Sequence, residues 1–314
     1  MSEHHHHHSH VHVHGHDHAH HHAHASYNRA FGLGILLNVG FVLVEVFFGL
    51  QSNSLALLAD AGHNLSDVLG LVLAWVGMML GRLRPDARHT YGWQRASIFA
   101  ALINGLVLLL AMGGMAWEAL HRFANPSPIG GQTVIVVAAA GVLVNGLTAW
   151  LFFSGSRSDL NIRGAFLHMA GDALVSLGVV LAGFAYLQTG WLWLDPSLSL
   201  AIAGVIIYST WSLFRQALHL SFDGVPASVQ LHEVRQLLED LPGVEAVHDL
   251  HVWAMSTSET ALTAHLVMPG GHPGDAWLSD AGELLHDRFD IAHATLQIEL
   301  GDAQPCRLAN HTAH

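Results

Sequence analysis

Six stretches of this chain are apolar over about 20 residues or more, the length a helix needs to cross ~30 Å of hydrocarbon. They run approximately Ala30–Leu50, Leu55–Leu80, Ala96–Leu120, Gln132–Phe153, Gly164–Gln188 and Pro196–His219. Glycines recur within them, which suits close helix packing in lipid. Composition agrees: 51% of the residues are hydrophobic, 11% are charged, and mean hydropathy is +0.37. Soluble domains carry roughly 25% charged residues. The expected fold is an all-α membrane bundle of six helices, and six spans exclude a soluble enzyme.

Charge placement orients the bundle. All twelve basic residues are arginine. Arg82, Arg84, Arg88 and Arg95 follow the second span, Arg157 and Arg163 follow the fourth, Arg29 precedes the first and Arg215 ends the sixth. Arg122 alone lies on the opposite side. The positive-inside rule therefore places both termini in the cytoplasm. Trp191 and Trp193 fit an aromatic belt at the outer face. Net charge is −12 and no basic patch exists to neutralise phosphates, which argues against nucleic acid as a partner.

After His219 the pattern changes. Leu231, Val234, Leu237, Leu238 and Leu241 recur at helical spacing, and Pro242-Gly243 ends that helix. Val244–Met255, Thr260–Met268 and Ala294–Leu300 read as strands, and Asp275–Asp290 as a second helix. The tail is thus an α-β-β-α-β unit, expected to be a ferredoxin-like α+β domain. The expected layout is a His-rich tail over 1–28, a transmembrane domain over 29–220, a cytoplasmic domain over 221–301 and a short tail over 302–314. His4–His24 is mostly histidine, a compositional metal binder with no core of its own. The polar N-terminus carries no signal-peptide pattern. Cys306 is the single cysteine; it reads as an inert thiol, with auxiliary metal ligation as the alternative.

Two pairs carry the chemistry. His63 with Asp67 and His168 with Asp172 are each spaced i,i+4, so each shares a helix face. Both sit inside apolar spans, where an ionisable group marks a functional site. The second and fifth spans run antiparallel. Asp67 lies about 12 residues from the outer end, ~18 Å, and Asp172 about 8–9 residues from the inner end, ~13 Å. Across ~30 Å these depths nearly meet. Two imidazoles and two carboxylates suit tetrahedral Zn²⁺, so the expected activity is transport of a divalent transition metal. Asp60 and Asn64 share the Asp67 face as entry or supporting groups. Asn38, Glu45, Asn104 and Asn145 are intramembrane polar residues, read as helix–helix hydrogen-bonding groups.

Three segments bring in a family. Ser54–Asp67 (Ser-Leu-Ala-Leu-Leu-Ala-Asp-Ala-Gly-His-Asn-Leu-Ser-Asp), His89–Arg95 (His-Thr-Tyr-Gly-Trp-Gln-Arg) and His248–Trp253 (His-Asp-Leu-His-Val-Trp) resemble signatures of the cation diffusion facilitator family, in the same order. The resemblance spans nearly the whole chain past the His-rich tract. It implies a homodimeric metal/proton antiporter of six spans with a cytoplasmic metallochaperone-like domain, integral to the inner or plasma membrane. It also implies that His63, Asp67, His168 and Asp172 are the transport ligands. The His-Asp/His-Asp form resembles the zinc-selective branch; members with Asp for the first histidine are broader.

Zn²⁺ is the implied substrate and also an implied regulatory ligand of the tail. Family members bind such metal at positions resembling His232 and His248, with an acid near Glu299. His251, His265 and His293 are weaker candidates, and Gln297 stands where some relatives place histidine. Asp86 and His89 form a candidate third site in the loop after the second span. Metal binding needs neutral imidazole and ionised carboxylate, so it releases protons. An intramembrane metallohydrolase would carry an H-E-x-x-H helix, which this chain lacks. The alternative function is a membrane metal-storage or sensing protein without transport.

Overall fold

The protein is described here by a computed structural model covering residues 38–81, 83–153 and 160–301. The His4–His24 tract, Arg29, Arg82, Arg157, Cys306 and the first part of the expected first span lie outside the described residues. The membrane part comprises α1 (Asn38–Ser52), α2 (Leu55–Gly81), α3 (Ala96–Ala124), α4 (Gly131–Phe153), α5 (Leu160–Thr189) and α6 (Leu194–Ser221). The last five are long and apolar enough to cross a bilayer, and α1 is a shorter apolar helix.

The α1–α2 corner shows how local chemistry sets these boundaries. Asn53 takes the left-handed conformation (φ 56°) that ends α1, and the Ser54 amide bonds back to the Gly49 carbonyl at 3.0 Å. Ser54 then caps α2, its Oγ accepting from the Leu57 amide at 3.2 Å. From α6, Asp195 accepts from the Leu55 amide (2.8 Å), the Ala56 amide (3.3 Å) and Ser54 Oγ (2.5 Å). A buried carboxylate thus satisfies the orphan N–H groups at the positive end of α2. Arg122 of α3 lies 3.8 Å from Asp195 and donates to the Asn53 carbonyl (2.6 Å) and side chain (2.8 Å). One end of the bundle is tied shut by these contacts.

Helix α4 packs along α5 and α3 along α6, while α2 lies against α3, α5 and α6. Gly77 of α2 sits where a Cβ would come within 2.9 Å of Ser97 Cα, so only glycine allows α2 and α3 this close. Leu57, Leu108, Met112, Val134, Val179 and Ile206 fill the centre. Leu43, Phe47, Trp117, Leu147, Trp150 and Tyr208 point outward and are exposed. An apolar exterior of this extent is a lipid-facing surface, not a solvated one.

The tail folds as α7 (Leu231–Glu239), β1 (Ala246–Ala254), β2 (Thr260–Val267), α8 (Asp275–Phe289) and β3 (Ile291–Glu299). This is the α-β-β-α-β order expected. The sheet order is β1-β2-β3, with β1 antiparallel and β3 parallel to β2. Val234, Leu238, Val247, Leu262, Leu266 and Leu285 form its core. Ile98, Leu220 and Ala254 pack together where the two parts meet. There Arg95 pairs with Asp223, and the Thr257 amide donates to Ser97 Oγ at 3.1 Å.

Candidate metal centre

The two His–Asp pairs meet between α2 and α5. His63 Nε2 lies 3.2 Å from Asp172 Oδ1 and 3.9 Å from Asp67 Oδ2. His168 Nε2 lies 3.2 Å from Asp67 Oδ2 and 3.7 Å from Asp172 Oδ2. Each imidazole therefore contacts the carboxylate across the helix pair more closely than the one on its own helix. The four ligand atoms lie within 4.8 Å of one another. With ~2.0–2.1 Å bonds, tetrahedral zinc ligands stand about 3.3–3.4 Å apart. The imidazole–carboxylate distances of 3.2–3.9 Å lie near that spacing, with Asp172 offering a different oxygen to each ring. Burial is uneven. Asp172 is 3% exposed and its Oδ2 has no hydrogen-bond partner, whereas the His168 side chain is 42% exposed.

Beside the quartet, Asn64 donates to Glu45 Oε2 at 2.9 Å and Ser176 Oγ donates to Asp60 Oδ2 at 2.8 Å. Asp60 and Asn64 thus bond to Ser176 and Glu45 and hold none of the four ligand atoms. Glu45 does make the helix–helix hydrogen bond expected of it.

A second cluster forms on the sheet face opposite the tail core. His248 and His265 are register partners, and Glu299 lies on β3 beside Val267. Glu299 Oε2 is 2.9 Å from His248 Nε2, and Oε1 is 2.8 Å from His265 Nδ1. The cluster depends on a bulge. Between His248 and His251 the β1 register slips against β2, and Asp249 takes φ 49°. The extra residue keeps Val247, Leu250 and Val252 in the core while His248 and His251 both face away from it. Asp249 Oδ2 then lies 3.6 Å from His265 Nε2 and Oδ1 lies 3.1 Å from His251 Nε2. His248 Nδ1 is buried with no hydrogen-bond partner. Two imidazoles and a carboxylate at these distances fit a divalent cation.

The other sequence candidates supply no ligand atom to either cluster. His232 is exposed on α7, His251 is exposed at the edge of the tail cluster, and His293 is exposed with its ring against Tyr91. Gln297 donates to Glu299 Oε1 at 3.1 Å. Asp86 accepts from the Arg88 and His89 amides, both at 2.7 Å, and its carboxyl is held below the usual range by those bonds. That arrangement makes an Asx-type turn. Among the described residues no third donor joins Asp86 and His89.

Residues 33–220 match the cation efflux transmembrane domain, and residues 226–300 match the cytoplasmic domain of cation efflux proteins. The chain belongs to the cation efflux family. Among its relatives, the zinc transporter ZitB of Escherichia coli is 38% identical over 88% of this chain and 87% of its own length. A cadmium, cobalt and zinc/H(+)-K(+) antiporter of Bacillus subtilis is 32% identical over 85% of this chain and 87% of its own. The solved metal-bound C-terminal domain of the CzcD transporter from Cuprividus metallidurans is 40% identical, covering 23% of this chain and 100% of that one with a TM-score of 0.22. In this cation efflux protein, two participants are not among the candidates read from sequence, although Asp249 lies inside the His248–Trp253 signature. Asp249 enters its cluster through a bulge, and Asp195 anchors α2 from 140 residues away.

Proposed function

We propose that this protein is a secondary active transporter that exports Zn²⁺, and related divalent ions such as Cd²⁺, from the cytoplasm in exchange for protons by alternating access. His63, Asp67, His168 and Asp172 bind the cargo. The observation that carries the reading is the cluster of two imidazoles and two carboxylates, its ligand atoms within 4.8 Å of one another, contributed by two antiparallel apolar helices. The relatives support the cargo class, being named for zinc and, in Bacillus subtilis, for a proton-linked antiport. With neutral rings the site carries two negative charges, which one dication balances. Without metal, each ring lies 3.2 Å from a carboxylate oxygen of the facing helix. Loading therefore releases protons, and protons arriving from the other side displace the cargo.

In this reading the chain crosses the bilayer six times, α1 being the first crossing, with both termini in the cytoplasm. It works as a homodimer in the inner or plasma membrane. The layout is a transmembrane domain over 29–220 and a ferredoxin-like cytoplasmic domain over 221–301, flanked by tails over 1–28 and 302–314. Exposure rises from Asp172 toward His168, on the side of the arginine-bearing loops, while the Asp195–Arg122 contacts tie the opposite end. The arrangement is thus read as inward-facing. A Zn²⁺ bound by His248, His265 and Glu299 would link β1, β2 and β3 as a regulatory ligand.

Purified protein in liposomes tests this directly. With zinc on one side, a luminal zinc indicator and a pH-sensitive dye should report zinc entry coupled to proton movement the other way. A storage or sensing protein would bind zinc with no luminal accumulation and no proton flux, and that result would overturn the proposal.

A further inference from the structure

Two buried acids are not used by the metal quartet. Glu45 lies mid-way along α1 and Asp60 near the start of α2, and both are 0% exposed. Their carboxyls are within hydrogen-bonding reach of each other. One oxygen of each is occupied, Glu45 Oε2 by Asn64 and Asp60 Oδ2 by Ser176. The other two oxygens, Glu45 Oε1 and Asp60 Oδ1, are buried and receive no donor. The titratable groups facing the pair are Asp172 from α5 and His63 on the helix of Asp60. Neither acid forms an ion pair with a quartet member or with an arginine among the described residues.

Ionised carboxylates side by side without water repel strongly and lose their hydration. One proton removes both problems. A Glu45 O–H donating to the Asp60 carboxylate relieves the repulsion and leaves a single negative charge on the pair. We propose that Glu45 and Asp60 hold one proton between them, and that this proton leaves when a divalent cation fills the adjacent quartet. The proposal rests on the exchange reading and deepens it by adding a proton site that is separate from the ligands. The links are short. Ser176 follows Asp172 by one turn of α5, and Asn64 follows His63 on α2. On loading, the Glu45 O–H bond breaks, the proton passes to bulk water, and the cation offsets the added negative charge. On unloading, a proton from water restores the bond.

The test uses the full-length protein and zinc chloride. Calorimetry in buffers of different ionisation enthalpy counts protons released per zinc bound, in wild type and in Glu45→Gln. The glutamine amide donates to Asp60 as the protonated acid does but cannot release a proton, so the variant should bind zinc and release about one proton fewer per ion. Contributions from the tail cluster cancel in the comparison. An equal count in both proteins would overturn this inference alone. Zinc binding by wild type without any proton release would overturn the exchange reading and the inference with it. Independently of any variant, infrared difference spectra of wild type should show an un-ionised carboxyl band at neutral pH that shrinks on zinc addition. Absence of that band would also overturn it.

Discussion

Asp172→Ala should abolish zinc movement in liposomes while leaving the folded protein intact. Asp172 is the most buried of the four candidate ligands, and its two oxygens reach both imidazoles, 3.2 Å from His63 and 3.7 Å from His168. The substitution removes one ligand and half the negative charge of the site, leaving a dication uncompensated among apolar helices. Loss of groups that merely orient ligands costs 10–100-fold in metal affinity, so loss of a ligand should cost more than about 100-fold. Asp172→Asn keeps the shape without the charge and should fail similarly. The measurement is the initial rate of zinc entry, alongside the elution volume and helical content of each variant. A variant that transports at near wild-type rate would exclude Asp172 from the site.

Asp195→Ala should produce the largest loss of stability of any single change at the closed end. Three donors of the α1–α2 corner converge on this carboxylate, and Arg122 stands 3.8 Å away with its side chain 12% exposed. Alanine leaves two helix-end N–H groups and a hydroxyl without their acceptor, and leaves Arg122 with Glu118, 3.2 Å away, as its remaining acidic partner. Breaking a buried pair in this way costs about 3–5 kcal/mol. Thermal unfolding in detergent measures it, with Asp287→Ala as the comparison. Asp287 is an exposed residue within α8 whose substitution should stay within about 0.5 kcal/mol. Equal stability of the two variants would show that Asp195 does not hold α2 in place.

The parts of this molecule that were legible from sequence are those written in local patterns. Long apolar runs announce the helices because hydrocarbon demands length and hydropathy. The i,i+4 spacing of His63–Asp67 and His168–Asp172 gives two faces, and antiparallel depth counting brings them to one level, where the structure places them. The alternation in β2 marks a strand, and leucine spacing marks α7. What was hidden depends on long-range contact. Nothing near residue 195 says that its carboxylate caps a helix begun at Leu55. The bulge at Asp249 interrupts the alternation that would announce which β1 side chains share a face, so His248 could not be matched with His265 and Glu299 by pattern alone. His232 ranks with His248 in sequence and His293 with His265, and the fold separates His232 and His293 from the cluster. Glu45 stood out as an acid in an apolar helix. Its partner Asp60 became visible only once α1 and α2 were packed.

The central claim is that four side chains from α2 and α5 enclose one divalent ion. Locating zinc in the intact protein by anomalous scattering at the zinc edge tests it most directly. The account predicts a peak between the helices at bonding distance from Nε2 of His63, Nε2 of His168 and a carboxylate oxygen each of Asp67 and Asp172, lost in Asp172→Ala. Zinc bound only at the tail cluster, with no peak between α2 and α5 under conditions that support transport, would contradict it.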